Sequence, residues 1–217
     1  KGVLLDARIR RGGEVMTRPS MLIDLQRCIG CMSCAVACKM ENDVPVGIAL
    51  NKVVQVGPVG EWPYGLAQYF FPQSCMHCRK PACVEVCPTG ASYIREEDGL
   101  VLVNDEQYIQ CESCMKACPY GARSIDVVKN SAVKCTLCSS LIDKDELPSC
   151  VKHCIAEAHI FGDQDDPASD IAAYLKENGN EARMIHLVEQ AGTEPTVAYL
   201  EPKCGMLADR VKDVDLL

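Results

Sequence analysis

Short apolar runs separated by turn residues dominate the hydrophobic pattern of this chain. These runs predict β-strands at residues 21–25, 92–95, 100–103, 122–127, 184–188 and 196–200. Asp98-Gly99 lies between the second and third runs and is typical of a hairpin turn. Apolar positions with helical spacing occur at residues 168–178, where Ile171, Tyr174 and Leu175 share one side. The pattern predicts an α+β fold of short strands, hairpins and short helices.

The composition leaves little material for an ordinary hydrophobic core. Aromatic residues make up 5% of the 217 residues, with three Phe and one Trp, whereas there are 16 Cys. A chain of this length with so few large side chains needs something else to fill and crosslink its interior. The cysteines are the candidates for that role.

The charge and the polarity argue against two classes of function. The net charge of −8 and the lack of a basic run disfavour nucleic-acid binding, which depends on Lys and Arg that neutralise phosphates. No apolar run approaches the roughly 18–20 residues of a membrane-spanning helix. The polar segment from Lys1 to Ser20 lacks the apolar centre of an intact signal peptide. We therefore expect a chain without a membrane span of its own.

Fifteen of the cysteines fall into four groups, and Cys204 stands alone. The groups are, in chain order, Cys28, Cys31, Cys34 and Cys38; Cys75, Cys78, Cys83 and Cys87; Cys111, Cys114 and Cys118; and Cys135, Cys138, Cys150 and Cys154. A repeat runs through the last three: CVEVCPTGA at 83–91, CMKACPYGA at 114–122 and a degenerate copy, CVKHCIAEA, at 150–158. Because a C-x3-C spacing places both cysteines on one face of a helical turn, each group predicts a loop followed by a turn of helix.

Thiolates at two-residue intervals suit a cubane iron–sulfur cluster, which needs four of them around one point. In bacterial two-cluster ferredoxins, the last Cys of the run C-x2-C-x2-C-x3-C ligates the other cluster. Applied to this chain, the same crossing predicts four ligand sets. The first is Cys28, Cys31, Cys34 and Cys154, and the second is Cys135, Cys138, Cys150 and Cys38. The third is Cys75, Cys78, Cys83 and Cys118, and the fourth is Cys111, Cys114 and Cys87.

The first three sets predict [4Fe–4S] clusters, whereas the fourth lacks one thiolate. Aligning Tyr108-Ile-Gln-Cys111 with Cys28-Ile-Gly-Cys31 places Tyr108 at the missing ligand position. A phenol oxygen is a poor replacement for thiolate on a soft sulfide cluster, so a [3Fe–4S] cluster is the principal expectation. A [4Fe–4S] cluster with a non-Cys ligand, rescue by Cys204 and an empty site stay open.

The groups also predict how the chain divides. Residues 75–127 form an inner ferredoxin-like module, which is inserted in an outer ferredoxin-like module made of residues 21–74 and 128–163. Residues 39–72 are an insertion within the outer module. Residues 1–20 form an N-terminal extension, and residues 164–217 form a C-terminal helix and tail.

Other uses of these cysteines fit the spacing less well. Tetrahedral zinc sites use two separated pairs and do not need a third closely spaced Cys. Thiols at two-residue intervals in tight loops disfavour disulfides within a group. Four cations lie beside the ligands, either as solvated charges, which is the commoner case, or as groups that raise cluster potentials: Arg27, Arg79, Lys116 and Lys134. No catalytic constellation stands out, so the chain is expected to move electrons and not to be catalytic alone.

The four groups, in this order, resemble the iron–sulfur subunits of dimethyl-sulfoxide-reductase-type molybdenum oxidoreductases. That family includes subunits of polysulfide, thiosulfate, nitrite and arsenate reductases. The resemblance is carried by CIGCMSCAVAC at 28–38, CMHCRKPACVEVCPTGA at 75–91, CESCMKACPYGA at 111–122, and the stretch from Lys134 to Cys154 with FGD at 161–163. It covers residues 20–200 and departs from the family pattern at Tyr108 and at Ile155, where a Pro is expected.

The resemblance implies a chain of clusters with a partner at each end. One partner is a large molybdopterin catalytic subunit, which lies toward the cluster of Cys28 and Cys154, and the other is a membrane anchor or another electron carrier. The chain would then be soluble or peripheral to a membrane through these partners, and cytoplasmic or exported together with the catalytic subunit. The alternative redox function is the electron-input subunit of a hydrogenase or formate dehydrogenase. The non-redox alternative is a zinc-stapled interaction module.

Overall fold

A four-stranded sheet forms the centre of the computed structural model, which describes residues 18–59, 62–63, 65–178 and 183–202. In spatial order its strands are β8 (His159–Asp163), β1 (Pro19–Asp24), β10 (Val197–Leu200) and β9 (Met184–Ile185). Strand β1 pairs antiparallel with β8 and parallel with β10. The first and last of these strands along the chain therefore lie side by side.

One face of the central sheet is covered by helix α6 (Asp170–Asn178). Because side chains alternate along a strand, Leu22 of β1 packs on this face with Ile171 and Leu175 of the helix, both of which are buried. This helix and its apolar side were predicted from the spacing of the same residues.

The other face of the sheet packs against a long hairpin from the predicted insertion. Its strands are β2 (Lys52–Val59) and β3 (Ala67–Gln73). Phe71 stacks on Tyr199 of the sheet with the ring centroids 4.4 Å apart, and the Tyr199 hydroxyl donates to the Pro72 carbonyl at 2.9 Å. Several of the few aromatic residues are thus concentrated in one core.

Four of the five other α-helices carry the first Cys of a C-x3-C spacing, as predicted. The helices are α1 (Ser33–Glu41), α2 (Ala82–Glu85), α3 (Ser113–Ala117), α4 (Ser139–Ile142) and α5 (Ser149–Lys152), and α4 is the exception. Helices this short are not stable by themselves, so they depend on packing, α1 against α5 and α2 against α3. Across the described ranges, no helix is long and apolar enough to cross a membrane.

Two small hairpins lie between the helices. The first consists of β4 (Ser92–Ile94) and β5 (Val101–Val103), and the second of β6 (Ser124–Asp126) and β7 (Ser131–Val133). The first hairpin is the predicted one, but its connection is wider than a two-residue turn, and Arg95 pairs with Asp98 inside it. The strand predicted at 122–127 is β6, whereas its partner β7 was not predicted.

The strands predicted near the C-terminal end are present as β9 and β10. All four residues of β10 are buried in the middle of the central sheet. The chain beyond residue 163 therefore completes this sheet in addition to forming the predicted helix. Most of the predicted N-terminal extension, up to residue 17, and Cys204 lie outside the described residues.

Candidate iron–sulfur sites

The four cysteine loops share one backbone feature. In the first, second and fourth groups, the residue directly before the second Cys is left-handed: Gly30 (φ 69°), His77 (φ 42°) and Leu137 (φ 55°). In the third group, the left-handed residue is Gln110 (φ 61°), directly before the first Cys, Cys111. Residues other than Gly seldom adopt this conformation, so its recurrence shows that the four loops are built alike. It also aligns Gln110 with Gly30, and hence Tyr108 with Cys28.

Thiols from the first and fourth groups lie together. Burial raises the pKa of Cys34 to about 11, and the charges of Cys154 and Cys28 act in the same direction. Burial also raises the pKa of Cys28, again with contributions from Cys154 and Cys31. Cys154 also lines one surface groove together with Cys31 of the first loop, so it is a neighbour of that loop.

A second group of thiols joins Cys38 to the fourth group. Burial, followed by the charges of Cys135 and Cys138, raises the pKa of Cys38. Burial also raises the pKa of Cys150, and the same three thiols contribute. The Asn42 amide nitrogen lies 3.7 Å from Cys38 Sγ and 4.0 Å from Cys138 Sγ. The same nitrogen donates to the Cys38 carbonyl at 2.9 Å, so it lies between sulfur atoms from both parts of the chain.

Thiols of the second and third groups line one cavity. Its wall includes Cys75, Cys78, Cys83, Cys118, Arg123 and Thr193. Burial raises the pKa of Cys78 to about 12, and the charges of the other three thiols add to the effect. The Tyr120 hydroxyl lies 2.6 Å from Thr193 Oγ1 at this cavity. Thr193 belongs to the C-terminal region, which sequence reasoning did not connect with a site.

Tyr108 packs against the buried cluster that contains Cys114, one of the three remaining thiols. Cys111 is exposed, and hydrogen bonds from Ser113 lower its pKa, while the nearby Cys87 has the opposite effect. Tyr108 lies beside Cys114 and Cys111, and its hydroxyl oxygen is buried without a hydrogen-bond partner. The residue predicted at the missing ligand position thus packs beside Cys114 of its set.

The donor chemistry of these sites fits iron–sulfur clusters. All fifteen cysteines within the described residues are free thiols. Three backbone N–H groups donate to sulfur: Ala158 to Cys154 (3.2 Å), Ser92 to Cys87 (3.3 Å) and Leu137 to Cys135 (3.3 Å). Such hydrogen bonds stabilise the negative charge of a thiolate-bound cluster. Among the same residues, no group of three or more His, Cys, Asp or Glu is arranged to hold a single metal ion.

Two buried polar side chains, those of His77 and Lys134, form hydrogen bonds with the backbone of both strand β5 and the fourth cysteine group. His77 Nδ1 accepts from the Val101 N–H at 3.3 Å, so Nε2 carries the proton and donates to the Cys135 carbonyl at 3.1 Å. The Lys134 ammonium donates to the carbonyls of Val101 and Cys135. Lys134 is only 3% exposed, so the commoner interpretation, a solvated charge, is wrong for it. In contrast, Arg27 forms a surface ion pair with Glu157.

Sequence reasoning missed Arg123. This residue is 6% exposed, and its Nη1 donates to Ser92 Oγ at 2.8 Å. Burial by itself lowers the pKa of Arg123, but the charges of Cys83 and Cys114 outweigh burial and raise the pKa. The internal repeat contained a signal, because Ser92, Arg123 and His159 directly follow its three copies.

The loops, thiols and donors define an iron–sulfur protein of the ferredoxin-like class. Two family profiles, each described as a 4Fe–4S dicluster domain, match residues 20–88 and 66–164. A subunit of the sulfite dehydrogenase of Allochromatium vinosum is 39% identical over 206 residues, which cover 85% of this chain and 83% of the relative. A subunit of the tetrathionate reductase of Salmonella typhimurium is 40% identical over 191 residues, with coverages of 88% and 75%. A subunit of the selenate reductase of Mesobacillus selenatarsenatis is 36% identical over 213 residues, with coverages of 83% and 70%.

This chain belongs to the family that its cysteine groups resemble, the iron–sulfur subunits of dimethyl-sulfoxide-reductase-type molybdenum oxidoreductases. It is an iron–sulfur electron-transfer subunit and is not catalytic alone. Its fold contains dicluster domains of the ferredoxin-like type, as predicted.

Proposed function

We propose that this chain carries four iron–sulfur clusters and passes electrons between a molybdopterin catalytic subunit and a membrane anchor or another redox partner. One observation carries the proposal: Cys154 belongs to the fourth group but lines one groove with Cys31 of the first, and burial together with its charge raises the pKa of Cys28 and Cys34. If the four cysteines of each group bound one cluster by themselves, Cys154 would have no reason to lie beside the first group. Crossed ligands place two clusters close together in one module, which is what electron transfer between them requires.

The outer pair of clusters uses the crossed sets. The first cluster is bound by Cys28, Cys31, Cys34 and Cys154, and the second by Cys135, Cys138, Cys150 and Cys38. The packing of α1 on α5 supports both sets, because α1 carries Cys34 and Cys38 while Cys154 follows α5. Both are [4Fe–4S] clusters in this proposal, since each set supplies four thiolates.

The inner pair consists of one complete and one incomplete site. The third cluster, a [4Fe–4S] cluster, is bound by Cys75, Cys78, Cys83 and Cys118, and the cavity that these four line supports the set. The fourth is a [3Fe–4S] cluster on Cys111, Cys114 and Cys87. The left-handed Gln110 supports the alignment of Tyr108 with a ligand, and the lack of a hydrogen-bond partner for the Tyr108 hydroxyl leaves a hard, weak donor where a thiolate is needed.

The two pairs correspond to nested modules. The inner module is residues 75–127, and the outer module is residues 21–74 and 128–163. The pairing of β1 with β8 supports the outer module, because these strands come from its two separate segments. The packing of α2 on α3 supports the inner module.

The catalytic subunit docks near the first cluster in this proposal. Exposed apolar side chains cluster around that ligand set, and they include Val36, Met40 (76% exposed) and Ile155 (69% exposed). Val36, Met40 and Ile155 line a surface groove together with Cys31 and Cys154. Apolar patches of this kind mark interaction surfaces, and here the patch would bring a partner's redox centre close to the cluster.

Serine substitutions test the crossing directly. Each removes one thiolate from one set, so Cys154→Ser is expected to alter the same cluster signal as Cys31→Ser. Cys38→Ser is expected to alter the same signal as Cys138→Ser. The measurements are iron and acid-labile sulfide content, and EPR spectra of the anaerobically purified chain. Three four-iron clusters and one three-iron cluster correspond to about 15 irons per chain.

The opposite grouping would contradict the ligand sets. If the quartets closed on themselves, Cys154→Ser would share its altered signal with Cys138→Ser, and Cys38→Ser with Cys31→Ser. Zinc without sulfide in the purified chain would reject the electron-transfer function altogether.

A further inference from the structure

Arg123 lies between two of the proposed ligand sets. It lines the cavity formed by the four thiols of the third set, and its charge interacts with Cys83 and Cys75 of that set. Cys83 of that set packs in one buried cluster with Cys114 of the fourth set, and the charge of Cys114 likewise raises the pKa of Arg123. One buried guanidinium therefore adjoins both inner sites.

Two of its three nitrogens have no acceptor at hydrogen-bond distance, although the Cys83 thiol lies close enough to the guanidinium to help raise its pKa. Nη1 donates to Ser92 Oγ, whereas Nε and Nη2 are buried and make no hydrogen bond. A buried cation with unpaired donors is unfavourable. Lys134 shows the contrast, because its equally buried ammonium is paired with two backbone carbonyls. Cluster sulfur in the adjoining cavity is an acceptor of the kind that Nε and Nη2 lack.

The internal repeat relates Arg123 to its hydrogen-bond partner, Ser92. Ser92 follows the first copy and Arg123 the second, so the two residues are equivalent within the inner module, and they meet through the Nη1–Oγ hydrogen bond. The equivalent residue after the third copy is His159, which is buried and contacts Met21 Sδ at 3.3 Å. Of these three positions, only that of Arg123 carries a permanent charge.

We propose that Arg123 sets the reduction potentials of the two inner clusters by donating hydrogen bonds from Nε and Nη2 to their sulfur atoms. The inference rests on the ligand sets of the proposed function. Reduction adds one electron, and so one negative charge, to a cluster. A fixed cation and its hydrogen bonds stabilise the reduced form more than the oxidised form, which raises the potential.

Three substitutions separate charge and hydrogen bonding from simple packing. Arg123→Met removes the charge and the donors at similar length, and Arg123→Lys keeps the charge but not the fork of donors. Arg95→Met is the matched control, because Arg95 is a partly buried cation of the same module whose partners are Asp98 and Asp143. The measurements are iron and sulfide content and the midpoint potential of each cluster from EPR-monitored redox titration.

Arg123→Met is expected to disfavour reduction of both inner clusters at least tenfold, which is about 59 mV for a one-electron couple. Arg123→Lys is expected to shift the same two potentials in the same direction, but by less. The outer clusters, and all clusters of Arg95→Met, are expected to shift less than twofold.

Unchanged inner potentials in an Arg123→Met chain with full iron content would overturn the proposal. If that variant loses iron, Arg123→Lys decides: lowered potentials in retained clusters support the proposal, while loss of the clusters or wild-type potentials reject it. Cys83→Ser and Cys114→Ser assign the inner signals. If neither alters a cluster signal, the ligand sets themselves are wrong, whatever the Arg123 variants show.

Discussion

Tyr108 occupies the position of a ligand without the chemistry of one. Its hydroxyl is buried beside Cys111 and Cys114 and has no hydrogen-bond partner. Replacing it with a thiol completes a set of four soft donors. We therefore expect Tyr108→Cys to convert the three-iron cluster to a four-iron cluster, with loss of the EPR signal of an oxidised [3Fe–4S] centre and a gain of about one iron per chain.

Tyr108→Phe is the control for this conversion. The phenyl ring keeps the packing and removes only the oxygen, so the three-iron signal and the iron content are expected to stay as in the wild type. Loss of one iron in Tyr108→Phe would show that the phenol oxygen is a ligand after all. An unchanged spectrum in Tyr108→Cys would mean that the alignment of Tyr108 with Cys28 is wrong.

Single residues also show where sequence reasoning stops. The spacing of the cysteines is local, so the loops and the alignment of Tyr108 could be read from the chain itself. The burial of Lys134 and Arg123 depends on which segments cover them, and nothing in the neighbouring sequence states this. Lys134 was expected to be either a solvated charge or a group that raises cluster potentials, and it is 3% exposed. The internal repeat marked the position of Arg123, but its place in the wall of the thiol-lined cavity is a property of the fold.

Among the elements, the first cysteine loop depends on a close approach by strand β3. Gly30 is left-handed, and a Cβ added to it would lie 2.3 Å from the ring of Phe70. Gly30→Ala therefore combines backbone strain of about 1 kcal/mol with overpacking of about 1–3 kcal/mol. We expect a lower Tm and a selective loss of the first cluster, measured by thermal unfolding and by iron content.

Gly90 provides the matched control for Gly30. It is also left-handed, with φ 73°, but an added Cβ would meet nothing within 4 Å. Gly90→Ala should therefore show the backbone strain alone and keep its iron. Adding Phe70→Ala to Gly30→Ala should restore part of the lost iron by removing the clash. Equal effects of the two Gly substitutions would show that the contact with Phe70 is unimportant.

Elements fixed by their own sequence were predicted better than elements fixed by partners. The amphipathic helix α6 and the helical turns after the cysteine loops follow from local spacing. Strand β7 has only three residues and exists through its pairing with β6. Strand β10 was predicted as a tail strand, whereas its parallel pairing with β1 buries it completely. Neither the short hairpin pairing of β7 nor the long-range pairing of β10 leaves a periodic signal in the chain.

At the scale of the whole molecule, Val36, Met40 and Ile155 form an exposed apolar patch beside the first ligand set and lie outside the buried core. If the catalytic subunit covers Met40 and Ile155, a charge placed there would be desolvated without a partner. We expect Met40→Glu combined with Ile155→Glu to weaken association by about 100-fold, or about 3 kcal/mol. Co-purification with a tagged large subunit and a binding titration with it would measure the loss.

The control for this surface lies at another exposed apolar site. Val127 and Val128 are 81% and 80% exposed after strand β6, so replacing both with Glu adds the same charge outside the patch. Both double variants should keep the wild-type iron content, because none of the four side chains is a ligand. Only the Met40 and Ile155 variant should lose its partner. Wild-type affinity in that variant, or equal weakening in the control, would place the catalytic subunit on a different face, and the first cluster would then not be the one that faces it.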